Sequence, residues 1–412
     1  MRRLTSSLAA LLIAAGTLSA QTTREEPAPT GKKEKSHAGI NLSLWKNIAT
    51  QPTDTVGSTC LNLGLFSAMN RLNGLGVNLL AGVVRQDMNG VQAAGLANLT
   101  GGSMRGVQVA GISNVNGDHL AGVSLSGLVG ITGNHAQGVI FSGLTNITGN
   151  RIGGIIIGGL LNITGGHSSG VHLAGLANLS GENFNGATLS GLLNIAGANM
   201  QGIQVSGLGN ISGETMRGIQ IAGLGNVTGG TAIGAQIAPL NVTKDGKGLQ
   251  IGLFNYYKGN FDGFQLGLVN ANPDTRVQLM LFGGNRTKLN VGARFKNRLF
   301  YTILGGGTHY LDFSDKFSAS FFYRAGLELP LYKQLFVSGD LGFQHIENFK
   351  NKDHGFPARL YALQARVNLE YRLTDRLGVF VTGGYGGSRY YNRGVTYDKG
   401  VILEGGVVLF KY

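Results

Sequence analysis

Glycine recurs every sixteen residues through the middle of this chain, and the frame never slips. One series occupies positions 90, 106, 122, 138, 154, 170, 186, 202, 218 and 234. A second runs 95, 111, 127, 143, 159, 175, 191, 207 and 223, and a third runs 101, 117, 133, 149, 165, 181, 197, 213 and 229. One unit reads Gly106-Val-Gln-Val-Ala-Gly111-Ile-Ser-Asn114-Val-Asn-Gly117, and nine units pass without insertion or deletion. A fixed period of this length marks a repeat architecture in which each unit buries its surface against its neighbours.

The unit has a β signature. Its second and fourth positions are apolar, as in Val107 and Val109 or Ile219 and Ile221, with polar Gln108, Gln204 and Gln220 between such pairs. That alternation is the period of a strand. The seventh position is Leu or Ile, and the tenth is Leu, Ile or Val. The ninth is Asn98, Asn114, Asn146, Asn162, Asn178, Asn194, Asn210 and Asn226, with Gly130 the exception. Between Gly90 and Ile233 there are six charged residues, two aromatics and no proline. A segment so poor in charge is expected to face mostly other backbone, with glycine at three corners supplying positive-φ turns.

Two architectures use this pattern. In a β-solenoid, coils stack in parallel about 4.8 Å apart, and equal positions form ladders. In an antiparallel barrel, each unit is a strand plus a turn, and successive units point opposite ways. The units show no odd–even difference, and stacked asparagines hydrogen-bond along a column. The solenoid is therefore the expected fold of the repeats. One larger barrel that includes them is the alternative.

Composition removes several classes. Glycine supplies 69 of 412 residues, but without a three-residue period or abundant proline it is not collagen. A lone Cys60 excludes a disulfide framework and a thiolate zinc site. The net charge of +13 is spread singly apart from Lys32, Lys33 and Lys35, so no nucleic-acid footprint forms. His119, His135 and His167 share one unit position with Arg151 and read as a solvated turn face, not a metal site. Asn-X-Thr triplets such as Asn98-Leu-Thr recur because the unit recurs. No nucleophile–base–acid set and no cofactor motif stands out, so no enzyme activity, metal or cofactor is expected.

The termini supply an address. Arg2 and Arg3, the apolar run Leu8–Ala15 and the small residues ending at Ala20 read as a secretory signal peptide over 1–20. Residues 21–37 read as a flexible leader and 38–89 as an N-terminal β segment. The regular repeats occupy 90–245, and irregular transition repeats follow over 246–273.

From 274 to 412 the character changes, and all 13 tyrosines lie after residue 255. Ala319, Phe321, Tyr323, Ala325, Leu327 and Leu329 define one face of a long strand that carries Arg324 and Glu328 on the other. Tyr361, Leu363, Ala365, Val367, Leu369 and Tyr371 oppose Arg366, Asn368 and Glu370. Tyrosines ten residues apart on an apolar face match a membrane strand with an aromatic at each interface, and Tyr385 marks a third such position. About eight strands fit from Val277 onward, which predicts an antiparallel outer-membrane-type barrel. Glu347–His354 and Ser388–Lys399 read as outer loops, and Pro330–Gln334 and Leu373–Arg376 as tight turns.

The closing residues Phe410 and Tyr412 resemble the C-terminal assembly signal of bacterial outer-membrane barrels, which implies the barrel-assembly machinery as a partner. The Gly-Val-Gln-x-Ala-Gly-Leu-x-Asn units, with Gly39–Trp45 and Gly248–Asn255, resemble a family of glycine-rich surface-repeat proteins of Gram-negative bacteria. That resemblance covers roughly 38–272. It implies export and placement at the outer membrane or surface, with no defined activity. The expected function is therefore a non-enzymatic protein whose barrel, held in outer-membrane lipid, anchors a repetitive β-domain. Recognition would fall to repeated polar side chains such as Gln108, Gln204 and Gln220. A porin-like barrel with the repeats in its wall is the alternative.

Overall fold

The computed structural model describes residues 38–45, 48–51, 57–309, 317–349, 358–391 and 395–410. The signal peptide, the leader and Tyr412 lie outside the described residues. The fold is all-β, and it divides into two compact units between Gly248 and Leu249.

The first unit is a parallel β-solenoid. It starts at Ala38–Trp45, which pairs in parallel with Ser58–Met69; Arg71–Val84 and Met88–Ala94 stack next. Thereafter each sixteen-residue unit gives one long and one short strand. Met200–Ser206 lies on Met216–Ala222 with Gly202 opposite Gly218, and Leu193–Ala196 lies on Gly209–Ser212 with Asn194 opposite Asn210.

The glycines are explained chiefly by the spacing between coils. A Cβ on Gly159 would stand 1.8 Å from the carbonyl oxygen of Gly143, and one on Gly213 would stand 1.9 Å from that of Gly197. The expectation of positive φ at all three series needs correction. Only the first series has it, between 97° at Gly170 and 138° at Gly186, and Gly186 sits within the strand Phe184–Ser190. In the other two series the bar to a side chain is the carbonyl of the coil beneath.

The polarity of the coil is inverted. Gln92, Gln108, Gln204, Gln220 and Gln236 are buried, and so is the Asn column. Val109, Phe141, Ile155, Leu189, Ile203 and Ile221 point outward, as does the whole Leu/Ile row at the seventh position. The expectation that most of the charge-poor segment faces other backbone therefore fails for these aliphatic side chains. Alternation makes the two strand faces different without saying which is inside. Here the interior is lined by amides and hydroxyls that bond from coil to coil. Apolar side chains enter it mainly at the fifteenth unit position, as at Met88, Met104, Met200 and Met216.

The second unit holds a short parallel pair, Phe254–Tyr257 on Val269–Ala271, and a closed barrel. Eight antiparallel strands run from Arg276–Gly284 to Thr396–Leu409, and these two pair to close the cylinder. The repeats are not in its wall, so the larger-barrel alternative is overturned. At one end the strands turn tightly at Arg298–Leu299, Lys333–Gln334 and Asp375–Arg376, with positive φ at Arg298 and Lys333. The chain enters at Arg276 and leaves after Leu409 at this same end. The opposite end carries the connections 285–288, 309–317, 349–358 and 391–395. Strand structure extends into both expected outer loops, as far as Asn348 and Tyr390 and again from Thr396.

Candidate functional site

The barrel is also polar inside and apolar outside. Leu341, Val367, Val381 and Leu403 are exposed, while Arg294, Arg324, Glu328, Asp340, Arg366, Glu370 and Glu404 are buried in the lumen. The Arg324 guanidinium donates to both Glu404 carboxylate oxygens at 2.9 and 3.1 Å. It lies over the rings of Phe282 and Phe322, 4.6 and 4.9 Å from their centroids. Arg366 Nε stands 3.3 Å from the same carboxylate. Arg294 repeats the two-pronged arrangement on Glu370 at 2.6 and 3.2 Å and donates through Nε to Gln278 at 2.7 Å.

Uncharged groups finish the packing. Tyr301 Oη and Asn368 Nδ2 donate to Asp340 at 3.0 and 2.7 Å. Phe282, Phe322 and Phe380 form a buried aromatic cluster. Towards the tight-turn end, Arg372 stacks 3.4 Å above Phe336 and donates to Glu328 at 2.8 Å. The lumen is filled with mutually paired charges and aromatic rings, as an eight-stranded barrel requires. Arg294 and Glu404 carry much of this packing, and neither was singled out as an interior charge by sequence reasoning. The strand parity that places Arg324 inward extends to both.

At the long-loop end a cavity of about 350 Å³ opens among Arg286, His309, Gln364, Tyr397 and Asp398. Arg286 forms an ion pair with Asp398 there. Tyr371 and Tyr385 are exposed on the barrel exterior, and Tyr361 is half-exposed and packs 5.1 Å from the Tyr391 ring. Phe410 shares the parity of inward Glu404 yet is exposed. The strand ends at Leu409, and Phe410 takes φ 80°.

In the tight-turn region, Tyr257 and Asn272 meet Asn297 through hydrogen bonds of 3.2 and 3.1 Å, and Tyr323 Oη donates to the Gly267 carbonyl at 2.8 Å. The last parallel turn thus packs against the end of the barrel where the chain enters.

Inside the solenoid, Asn146, Asn162, Asn178, Asn194, Asn210 and Asn226 form one hydrogen-bonded column, each donating to the next at 2.8–3.0 Å, and Asn98 donates to Asn114 at 3.0 Å. At the gap left by Gly130, Ser126 and Ser142 bond at 2.7 Å, and Ser142 donates to Asn146 at 2.6 Å. A parallel column joins Gln204 to Gln220 at 2.8 Å and Gln236 to Gln220 at 2.9 Å. These glutamines therefore offer nothing to a ligand, and recognition through them is overturned. His119 and His135 stack with ring centroids 4.9 Å apart, and Asp118 bonds His119 at 2.6 Å. Among the described residues, no three His, Cys, Asp or Glu side chains gather as a metal site would require.

His172 occupies the buried glutamine position, edge-on to Phe184, and its Nε2 meets the Ser169 carbonyl at 3.1 Å. Burial pushes its imidazole down from 6.5 to about 4, against the Ser169 bond, which favours the charged form. Between pH 6.5 and 4 the unfolded chain therefore binds more protons than the folded one, so stability falls as pH drops through that window. The full loss is about 3 kcal/mol. His172→Gln should remove this pH dependence. Urea midpoints at pH 7 and pH 4.5 check it.

No family model matches the chain, and no curated protein matches it significantly.

Proposed function

We propose that this is an exported, non-enzymatic protein of the bacterial outer membrane, in which the eight-stranded barrel is a sealed anchor for the solenoid. The observation that carries this reading is the inverted polarity of a closed barrel. Paired charges fill its lumen, and aliphatic and tyrosine side chains cover its exterior. Such a surface suits hydrocarbon, and closure leaves no unpaired strand edge in it. The resemblance of the repeats to bacterial surface-repeat proteins points the same way, as does the N-terminal signal-peptide pattern. Phe410 and Tyr412 would engage the barrel-assembly machinery.

Outer-membrane barrels keep short turns on the periplasmic side and longer loops outside. The chain enters this barrel at its tight-turn end, which by that rule would face the periplasm. The filled lumen argues against a transport role. Purified protein refolded into planar bilayers should give no stable conductance steps. Regular ohmic steps would mean an open pore and would defeat the sealed-anchor reading.

A further inference from the structure

We infer that the outer surface of the solenoid is a lipid-binding surface, with the stack lying lengthwise in a membrane interface. All nine charged residues between Arg71 and Ile233 fall at unit positions 12 to 16, which form one edge of the coil; Arg105, Glu182 and Arg217 are examples. The outward side chains on the two strands and in the turn between them are mostly aliphatic, with Ser113 and Thr145 among the exceptions. Ile203 and Ile221 are 45% and 39% exposed on the long strand, Leu208 is 46% exposed in the turn, and Leu99 is 37% exposed on the short strand Ala97–Thr100.

The apolar surface therefore wraps around two strand faces and the turn between them. Its rows run without interruption for about ten coils, or about 50 Å at the usual strand spacing. An apolar area of this extent marks an interaction surface. Its curvature chooses the occupant. A second copy or another folded protein covers one side and leaves the others in water, whereas a fluid hydrocarbon phase covers all of them at once. The charged edge runs parallel to the stack axis, so the solenoid can lie in the interface with that edge towards water. A chain segregated in this way is an interfacial element, held by the apolar area that it sinks below the headgroups.

The interior completes the argument. The amides and hydroxyls lie inside and bond from coil to coil, so the outer faces meet lipid without stranding side-chain polar groups. Backbone groups of the long strands are likewise paired to the coils above and below.

The inference stands apart from the barrel reading, and one experiment separates the two. The exposed native thiol is removed by Cys60→Ser. In that background, single cysteines replace Ile112, Leu160 and Ile221 on the aliphatic surface, Glu182 and Arg217 on the charged edge, and Val367 on the barrel exterior. Each full-length variant carries an environment-sensitive fluorophore and is refolded into phosphatidylcholine–phosphatidylglycerol vesicles. Nitroxide-labelled lipid should quench the aliphatic positions at least threefold more than the edge positions, with iodide showing the reverse order. Probes on the aliphatic surface that iodide quenches freely would overturn the inference. Probes shielded from both quenchers would also overturn it, in favour of a protein partner or a second copy. Failure of lipid to quench at Val367 would defeat the barrel reading alone.

Discussion

Replacing Gly159 with alanine will break the stack between the coils that carry Gly143 and Gly159. A methyl there stands 1.8 Å from the Gly143 carbonyl oxygen, and the obstacle is backbone, so no side-chain rotation relieves it. Either the coils separate locally and lose ladder hydrogen bonds, or the strand shifts register and turns its buried face outward. We expect a loss of at least about 3 kcal/mol, the scale of severe overpacking. Gly154→Ala meets the same kind of obstacle, 2.1 Å from the Gly138 oxygen, and adds the strain of φ 109°. Gly225→Ala is the control. Its nearest obstacle is 3.4 Å away, and other units carry Ala97, Ser113 or Leu161 at that position. Hydrogen exchange read coil by coil is the measurement. Protection should collapse around residues 138–175 in Gly159→Ala and stay unchanged in Gly225→Ala. Equal protection in all three proteins would mean that the coils do not approach so closely.

Glu404→Ala should be the most damaging single change in the barrel. That carboxylate receives both prongs of Arg324 and lies 3.3 Å from Arg366 Nε. Removing it leaves two guanidiniums facing each other in a buried space. Breaking a buried ion pair from one side costs about 3–5 kcal/mol, because the orphaned charge keeps its desolvation cost. Replacing a whole pair with apolar groups of similar volume is much milder. Arg324→Met combined with Glu404→Leu should therefore recover most of the lost stability, since Arg366 keeps Asp340 at 3.8 Å. The temperature at which the folded barrel loses its fast gel mobility in detergent reports the effect. A double variant no better than Glu404→Ala would show that the carboxylate acts through packing and not through charge.

Much of this architecture was legible in the sequence. The unbroken sixteen-residue frame required one structural step per unit, and the absence of an odd–even difference among units pointed to a parallel stack. In the C-terminal third, alternation with tyrosine at both ends of a strand showed which face was outside. The opposite face, which carries Arg324, Arg366 and Glu370, is the one that turns inward. In the repeats the same alternation carried no such marker. Gln220 and Ile221 differ in polarity, but nothing in the unit says which faces in, and the usual preference for apolar interiors gave the wrong answer. The decisive fact is three-dimensional. Stacking puts Gln220 beside Gln204 and Gln236, where each amide finds a partner, so burial costs it little. One cue was present: every charged residue between Arg71 and Ile233 keeps to one edge of the unit, which leaves the other positions free to meet something other than water. The filling of the lumen was harder to read, because the contact between Arg324 and Glu404 joins strands 80 residues apart.

The central claim is that the barrel, and not the repeats, spans the membrane. Protein refolded into sealed vesicles and treated with external proteinase K tests it most directly. The account predicts a membrane-protected fragment that contains the eight strands from Arg276 onward and resists alkaline extraction, whether or not the repeats are digested. Complete digestion of the C-terminal third while the repeats stay protected, or release of the eight strands on alkaline extraction, would contradict it.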